Sequence, residues 1–477
     1  MDAGVLGKGP LDGGFGRPLK GSMKRLKQIV ESLNDGLIFM GGAVSALLLV
    51  WALWRIGYSN SSMEMETELS FPQKCPDQCI SSNGNRGSIS SNRIDHGVDE
   101  WEKSSENFYN NPEVTYTIGQ PIRDWDKKRK LWLDRHPRVK NFTDDGKPRV
   151  LMVSGSQGVP CRNPFGDHLL LRFFKNKVDY CRLHGIDMFY NNVLLEEHMF
   201  TFWAKIPLVR AAMVAHPEAE WIWWMDSDAA ITDMDFVIPW ETYRDYNMVV
   251  HGWDHLVFEK RSWVGLNAGI FLIRNCEWSM EFMERWSAMG PQSPLYISSG
   301  KLLSKVLSDR AFNASDDQSA LVYLLIKEKD KWADRIYIEH SYYLNGYWVD
   351  IVGTYENITE KYEAMEKENP MLNKRHAEKM NRDYAEMREH YIRSDKNFYS
   401  DNDDIMVRRR RPFVTHFTGC QPCSGDHNKI YKGENCWKGM ERALNFADDQ
   451  VLKHYGFRHD NLQSSHVNPI QSFYFPS

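Results

Sequence analysis

Residues 221–228 read WIWWMDSD: five apolar residues running straight into two carboxylates two positions apart. An unalternating apolar run of this length reads as a strand covered on both faces, as in parallel sheets. In open α/β sheets, ligands gather beyond the carboxyl ends of the strands. At such an end Asp226 and Asp228 point the same way. Together they can hold a hard divalent cation, which in turn binds a diphosphate. The spacing alone is cheap, since Asp124/Asp126, Asp233/Asp235 and Asp401/Asp403 repeat it. Only 226 and 228 follow directly on a strongly apolar strand. Without other signals, the pair reads equally as a strand-end turn with helix-capping acids.

Outward from this stretch the pattern alternates. Apolar runs at 150–154, 186–190, 248–251 and 268–273 read as further strands, and the first ends in Gly155-Ser156-Gln157-Gly158. Helical spacing of apolar residues marks 122–133, 169–183 and 200–215, with Pro207 starting or kinking the last. Strand and helix in alternation predict an α/β domain with a largely parallel sheet flanked by helices. Residues 355–395 are charged and read as an exposed helical insert. A short strand at 413–417 carries His416, which read alone is an ordinary core histidine.

The N-terminal quarter differs. Residues 36–54 carry no charge and extend roughly 28 Å as a helix, enough for a single membrane span. Lys20, Lys24, Arg25 and Lys27 precede it, which places the short N-terminus in the cytosol and the rest in a lumen. A cleaved signal peptide and a buried core helix are the alternatives. The expected layout is a cytosolic tail at 1–35, an anchor at 36–54, a flexible lumenal stem at 55–114, a catalytic domain at 115–460 and a tail at 461–477. Sequons at Asn60, Asn141, Asn313 and Asn357 all fall beyond the span, as do the eight cysteines. The even count permits four disulfides without giving their pairing. Cys420, Cys423, His427 and Cys436 also resemble a zinc set, though not at a familiar finger spacing.

Composition narrows the classes. The 477 residues are 42% apolar and 26% charged, with a net charge of -5, so bulk-charge binding to nucleic acid is not expected. Mean hydropathy of -0.54 excludes a polytopic membrane protein but allows one span. The 17 Trp, 21 Tyr and 23 Phe suit a sugar-handling surface and a large core alike.

Five stretches, WWMDSDAAITDMDF, LNAGIFLIRNCEWS, DDQSALVYLL, NGYWVDIV and THFTGCQPCSGDH, occur in this order. Together they resemble a plant Golgi glycosyltransferase family. It contains galactomannan α-1,6-galactosyltransferases and xyloglucan α-1,6-xylosyltransferases. The resemblance spans about 120–460. It implies a Rossmann-like GT-A fold, a UDP-sugar donor, Mn²⁺, retention at the anomeric carbon and a neutral β-1,4-glycan acceptor. Residue by residue, it implies Asp226, Asp228 and His416 as metal ligands. Gly155, Ser156, Tyr190, Lys205, Ser227, Gly419 and Gln421 fall on the donor side. Asp317 becomes a sugar contact or nucleophile, and the amide oxygen of Gln318 lies against the anomeric face. Asp316, Asn267, Tyr347 and Trp348 become substrate contacts. Asp316 and Asp317 are also good helix-capping residues.

Xylosyltransferase members of that family carry Lys at the position of Gln421, so this chain looks like the galactosyltransferase side. Lys429 or one of Arg408–Arg411 is then the substitute phosphate charge, the bland reading of that run being a solvated loop. Trp253, Trp263 and Tyr343 are further candidate stacking surfaces. The expectation is galactose transfer to a mannan in the Golgi membrane. The alternatives are xylose transfer to a glucan, a non-catalytic Golgi scaffold subunit that recruits other transferases, and a lectin. The resemblance also implies a homo- or hetero-oligomer with other glycosyltransferases.

Overall fold

The computed structural model describes residues 108–470 except 113, 311, 374–377 and 395–409. Segments 1–35, 36–54 and nearly all of 55–114 lie outside the described residues, as do Asn60, Arg408, Arg409 and residues 471–477. Among the described residues no helix is long and apolar enough to cross a membrane.

In chain order the main elements are α1 (Trp125–Arg135), β1 (Val150–Gly155), α2 (Gly166–His184), β2 (Asp187–Asn191), α3 (Lys205–Ala215), β3 (Trp221–Met225) and β4 (Ala229–Ile231). Then come β5 (Met248–Gly252), β6 (Leu266–Arg274), α4 (Glu277–Ser287), α5 (Tyr296–Val306), α6 (Asp317–Lys327), β7 (Ile336–Glu339) and β8 (Gly346–Tyr347). The chain finishes with α7 (Tyr355–Glu368), α8 (Asn381–Ser394), β9 (Val414–His416), α9 (Gly433–Leu452) and the hairpin β10 (Phe457–His459) and β11 (Val467–Pro469). Strand pairing therefore continues past residue 460. At the other end, Phe108 already packs on Trp125, with ring centroids 5.6 Å apart.

Six strands form the main sheet in the order β2-β1-β3-β6-β5-β7. Five point one way and β6 runs against them, so the sheet is mixed rather than uniformly parallel. Residues 253–265, between β5 and β6, hold no α-helix to make a crossover, so the chain folds back beside its own strand. An apolar run does not disclose this, because β6 is as buried as its parallel neighbours. Alternate side chains feed opposite faces: Leu151, Val153, Ile222 and Trp224 join one core, and Val150, Met152, Trp223 and Met225 the other. Each large side chain fully buried this way contributes about 1.5–3 kcal/mol. Pro207 is the third residue of α3, in the first turn, where its missing N–H leaves no bond unmade and no kink is needed.

The stretch expected to be an exposed insert is a third core instead. Ile358, Tyr362 and Met365 of α7 and Ile392 of α8 pack with Trp348, Phe417, Leu444 and Phe446. Its charged residues mask an apolar stripe at helical spacing.

A second sheet, β4-β9-β8, is short but decides the geometry of the site. Ala229 pairs with His416 antiparallel, and Tyr347 pairs with His416 parallel.

Candidate active site

Backbone pairing continues past β3, since the Asp226 N–H donates to the Gly269 carbonyl at 2.9 Å. Trp224 Nε1 donates to Asp226 Oδ1 at 2.7 Å, fixing that carboxylate. The small sheet then delivers His416 from 188 residues away, with Nε2 at 3.2 Å from Asp228 Oδ1 and 3.8 Å from Asp226 Oδ2. One ligand atom from each of Asp226, Asp228 and His416 lies within 4.8 Å of the others. Two carboxylates and an imidazole form a donor set that could hold a divalent metal ion.

Two residues that the motif reading did not single out complete this corner. The buried Asn345 places its Oδ1 2.7 Å from His416 Nδ1. An amide oxygen only accepts, so Nδ1 carries a proton, which leaves Nε2 as the ring nitrogen turned toward the carboxylates and available to a metal ion. Gly269, on the antiparallel strand, backs the same space. A Cβ there would lie 2.3 Å from His416 Cε1 and 2.7 Å from Asp226 Oδ2. Both were visible in sequence only as the Asn of NGYW and the Gly of LNAGIF. Burial opposes a charge on His416, but Asp228 and Asp226 outweigh it and raise its pKa.

Lys205 is fully enclosed at the start of α3, not on a solvated helix face. Its Nζ lies 2.8 Å from Asp317 Oδ2 and 3.3 Å from Asp226 Oδ1, and donates to the Ala268 carbonyl at 3.0 Å. Burial opposes its charge, yet these two carboxylates raise its pKa. Burial pushes Asp317 up to about 6, against the pull of Lys205. Lys177, also missed, is buried under the 226–229 turn. Its Nζ donates to the Ala229 carbonyl at 2.7 Å and the Ser227 carbonyl at 3.4 Å.

The acidic motif divides its labour. Asp316 caps α6 by accepting the Ser319 N–H at 2.8 Å, and its other oxygen pairs with buried Arg310 at 3.0 Å. Gln318 bridges β6 and the turn before it: Oε1 takes the Ala268 N–H at 3.3 Å and Nε2 donates to the Trp263 carbonyl at 2.9 Å. Its amide oxygen is thus occupied by a backbone donor, where the resemblance had it facing the anomeric carbon. Asn267 Oδ1 accepts the Gly269 N–H at 2.7 Å, beside the metal-ligand corner.

Across β1, Ser156 and Tyr190 line a cavity of about 540 Å³ together with Gln157, Gly158, Phe174 and Asn192. A Cβ on Gly155 would meet the Asn191 carbonyl at 2.3 Å, so strand packing alone demands that glycine. Gly419 has φ +81, a left-handed turn that glycine adopts without strain. Gln421 is exposed and held within its own hairpin by the Asp426 carbonyl and Ser424.

Several expected contacts lie elsewhere. Trp348 is buried and stacks on Phe417 at 5.6 Å, so it belongs to the core and not to a sugar surface. Tyr347 and Trp253 are exposed, and Trp263 and Tyr343 half-buried. Arg411 pairs with Asp235 at 2.9 Å and Arg410 with Glu389, so neither is a solvated loop residue or a spare phosphate clamp. Lys429 is exposed. The zinc reading fails because Cys420 is bonded to Cys436 and Cys423 to Cys161. Cys181 and Cys276 are free thiols, so four disulfides do not form. Asn313 and Asn357 are exposed, whereas Asn141 donates its amide to Glu220 at 3.1 Å.

Residues 146–427 match the model of the galactosyl transferase GMA12/MNN10 family. The chain belongs to this family. Galactomannan galactosyltransferase 1 of Cyamopsis tetragonoloba is 47% identical over 92% of this chain and 95% of that one. Glycosyltransferase 6 of Arabidopsis thaliana is 48% identical over 93% and 95% respectively. A rice protein (Oryza sativa subsp. indica) named "Probable xyloglucan 6-xylosyltransferase 1" is 46% identical over 75% and 70%. The chain is thus a glycosyltransferase of a family whose members include galactosyl- and xylosyltransferases, and the matched region contains every residue of the metal-ligand corner.

Proposed function

We propose that the protein transfers galactose from UDP-galactose, in α-1,6 linkage and with retention, to a β-1,4-mannan or glucomannan. We place it in the Golgi membrane as a type II protein anchored by residues 36–54, with its catalytic domain in the lumen. The observation carrying this reading is the convergence of Asp226, Asp228 and His416 in a family of glycosyltransferases. A divalent cation, most simply Mn²⁺, fits them. The donor atoms are two carboxylates and an imidazole whose other nitrogen is already paired, and Gly269 leaves their space open. When bound, it supplies Lewis-acid neutralisation of the diphosphate leaving group.

The chain's own residues do the rest. Lys205 braces Asp226 against Asp317 and keeps a positive charge behind the metal corner. Gln318 locks the 263 and 268 backbones together, fixing the floor on which the sugar sits. The cavity beside Ser156 and Tyr190 takes the nucleoside, and the exposed rings of Tyr347 and Trp253 offer stacking faces to the acceptor. Asp317, paired with Lys205 and almost fully buried, is better placed to hold hydroxyls than to attack carbon.

Gln421 in place of the xylosyltransferase lysine favours galactose. The second reading, xylose transfer to a β-1,4-glucan, draws on the 46% identical rice relative. Purified protein offered UDP-galactose and UDP-xylose in turn, with mannan or cello-oligosaccharides and with or without Mn²⁺, separates them. Turnover of UDP-galactose on mannan supports the first reading, and preference for UDP-xylose on glucan replaces it. Donor binding without metal dependence, or no donor binding at all, ends both.

A further inference from the structure

The two disulfides among the described residues join different things. Cys420 and Cys436 are buried and only 16 residues apart, within the segment that follows His416. Cys161 and Cys423 are 262 residues apart and both partly exposed. They tie the loop after β1, whose residues 156–160 form one wall of the 540 Å³ cavity, to the turn just beyond β9, the strand carrying His416.

Non-covalent bonds sew the same seam. The Asn163 N–H donates to the Cys423 carbonyl at 3.0 Å, and Asn163 Nδ2 to the Pro422 carbonyl at 2.9 Å. The Cys161 N–H reaches Asp167, another residue of the cavity wall, at 3.2 Å. Gly166 lies where the two segments meet: a Cβ on it would be 2.8 Å from both Cys161 Cβ and the Pro422 carbonyl. The approach is close enough to require glycine. The cavity wall and the metal-ligand strand are therefore held in one register by a covalent link between distant parts of the chain.

We propose that the Cys161–Cys423 disulfide is a positioning element of the donor site: it fixes the 156–160 wall relative to His416, so that cutting it weakens nucleotide binding while removing no group that touches the donor. This rests on the proposed assignment of the cavity to the nucleoside. Cleavage by a dithiol balances simply. The S–S bond breaks, each cysteine sulfur gains one electron and one proton, and the dithiol is oxidised to its own disulfide. The freed loop keeps its hydrogen bonds but samples more positions, and the lost pre-organisation appears in binding. Cys420–Cys436 is buried within its own segment, so it resists the same treatment.

The test uses detergent-solubilised full-length protein, with UDP plus Mn²⁺ as the binding probe and UDP-galactose for kinetics. Mild dithiothreitol, with mass mapping of alkylated cysteines, should open 161–423 first. The Kd for UDP and the donor KM should rise about tenfold while kcat changes less than about threefold. Reoxidation should restore both values, a reversal that a collapsed fold would not give. The Cys161→Ser/Cys423→Ser variant should behave like the reduced protein. Unchanged UDP affinity after verified cleavage, or a fall in kcat at constant KM, overturns the proposal alone. Failure of the oxidised protein to bind UDP overturns the nucleotide reading of the cavity, and this proposal with it.

Discussion

Two Asp-x-Asp pairs, starting seven positions apart at Asp226 and Asp233, fare in opposite ways. Asp226 and Asp228 keep about a quarter of their side-chain surface open and face His416. Asp233 and Asp235 are enclosed against two arginines, with Asp235 2.6 Å from Arg388 and 2.9 Å from Arg411. Burial would protonate Asp235, but the arginines overcome it and hold its carboxyl down at about 2. The first pair keeps carboxylate surface open beside an imidazole, where a cation can reach it, and the second is closed off by its arginines. Spacing of carboxylates thus says little about metal binding; what faces them decides it.

Replacing Asp226 and Asp228 together with alanine should sharpen this contrast most. Transfer should fall by at least about 10⁴-fold, roughly 5 kcal/mol of barrier, while thermal unfolding stays near that of the parent. A variant that retains turnover, or that simply unfolds, would erase the distinction between the pairs. Asp235→Ala should do the reverse. It strands two arginines in a buried cluster and should cost about 3–5 kcal/mol in urea unfolding, with near-normal kcat per folded molecule. An inactive but stable Asp235→Ala protein would move the catalytic centre.

Two buried histidines give the same lesson on a smaller scale. Carboxylates raise His416, whereas burial lowers His251 to about 4, only partly offset by its bond to the Glu339 backbone. An unfolded chain binds the His251 proton near pH 6.5 and the folded one near pH 4. Stability should therefore fall as pH drops between these values, by about 3 kcal/mol from this residue. His251→Asn should flatten that part of the stability profile, and an unchanged profile would mean that His251 titrates normally. The smallest effect is expected at Asn345. With Leu there, His416 loses its tautomer lock, and Mn²⁺ affinity measured by calorimetry should drop about 10–100-fold with little loss of fold. Unaltered affinity would show that Asn345 does not orient the ligand.

Strands β1, β3, β5 and β6 were legible because their apolar runs are unbroken, and α2 and α3 because their apolar residues repeat at three to four. The direction of β6 was not legible, since burial on both faces looks alike in either direction. The α7 and α8 pair reads in sequence as an exposed insert because charge outnumbers the apolar stripe that buries it. Within the site, Asp226, Asp228 and His416 could be named from motifs. Gly269 and Asn345 could not, because a missing Cβ or an accepting amide acquires meaning only beside the atom it serves. Trp348 shows the converse: an aromatic in a recognisable motif turned out to be core.

By itself, the sequence determined an α/β chain with family-specific motifs and two acids at the end of an apolar strand. All of that is local, fixed by periodicity and by the order of residues along the backbone. Only the tertiary structure decided which acids stay open, since that depends on where Arg388, Arg411 and His416 come to rest. Those three lie far along the chain, and the second sheet and the third core bring them in. Electrostatic fate is set by neighbours in space, and a linear pattern does not specify them.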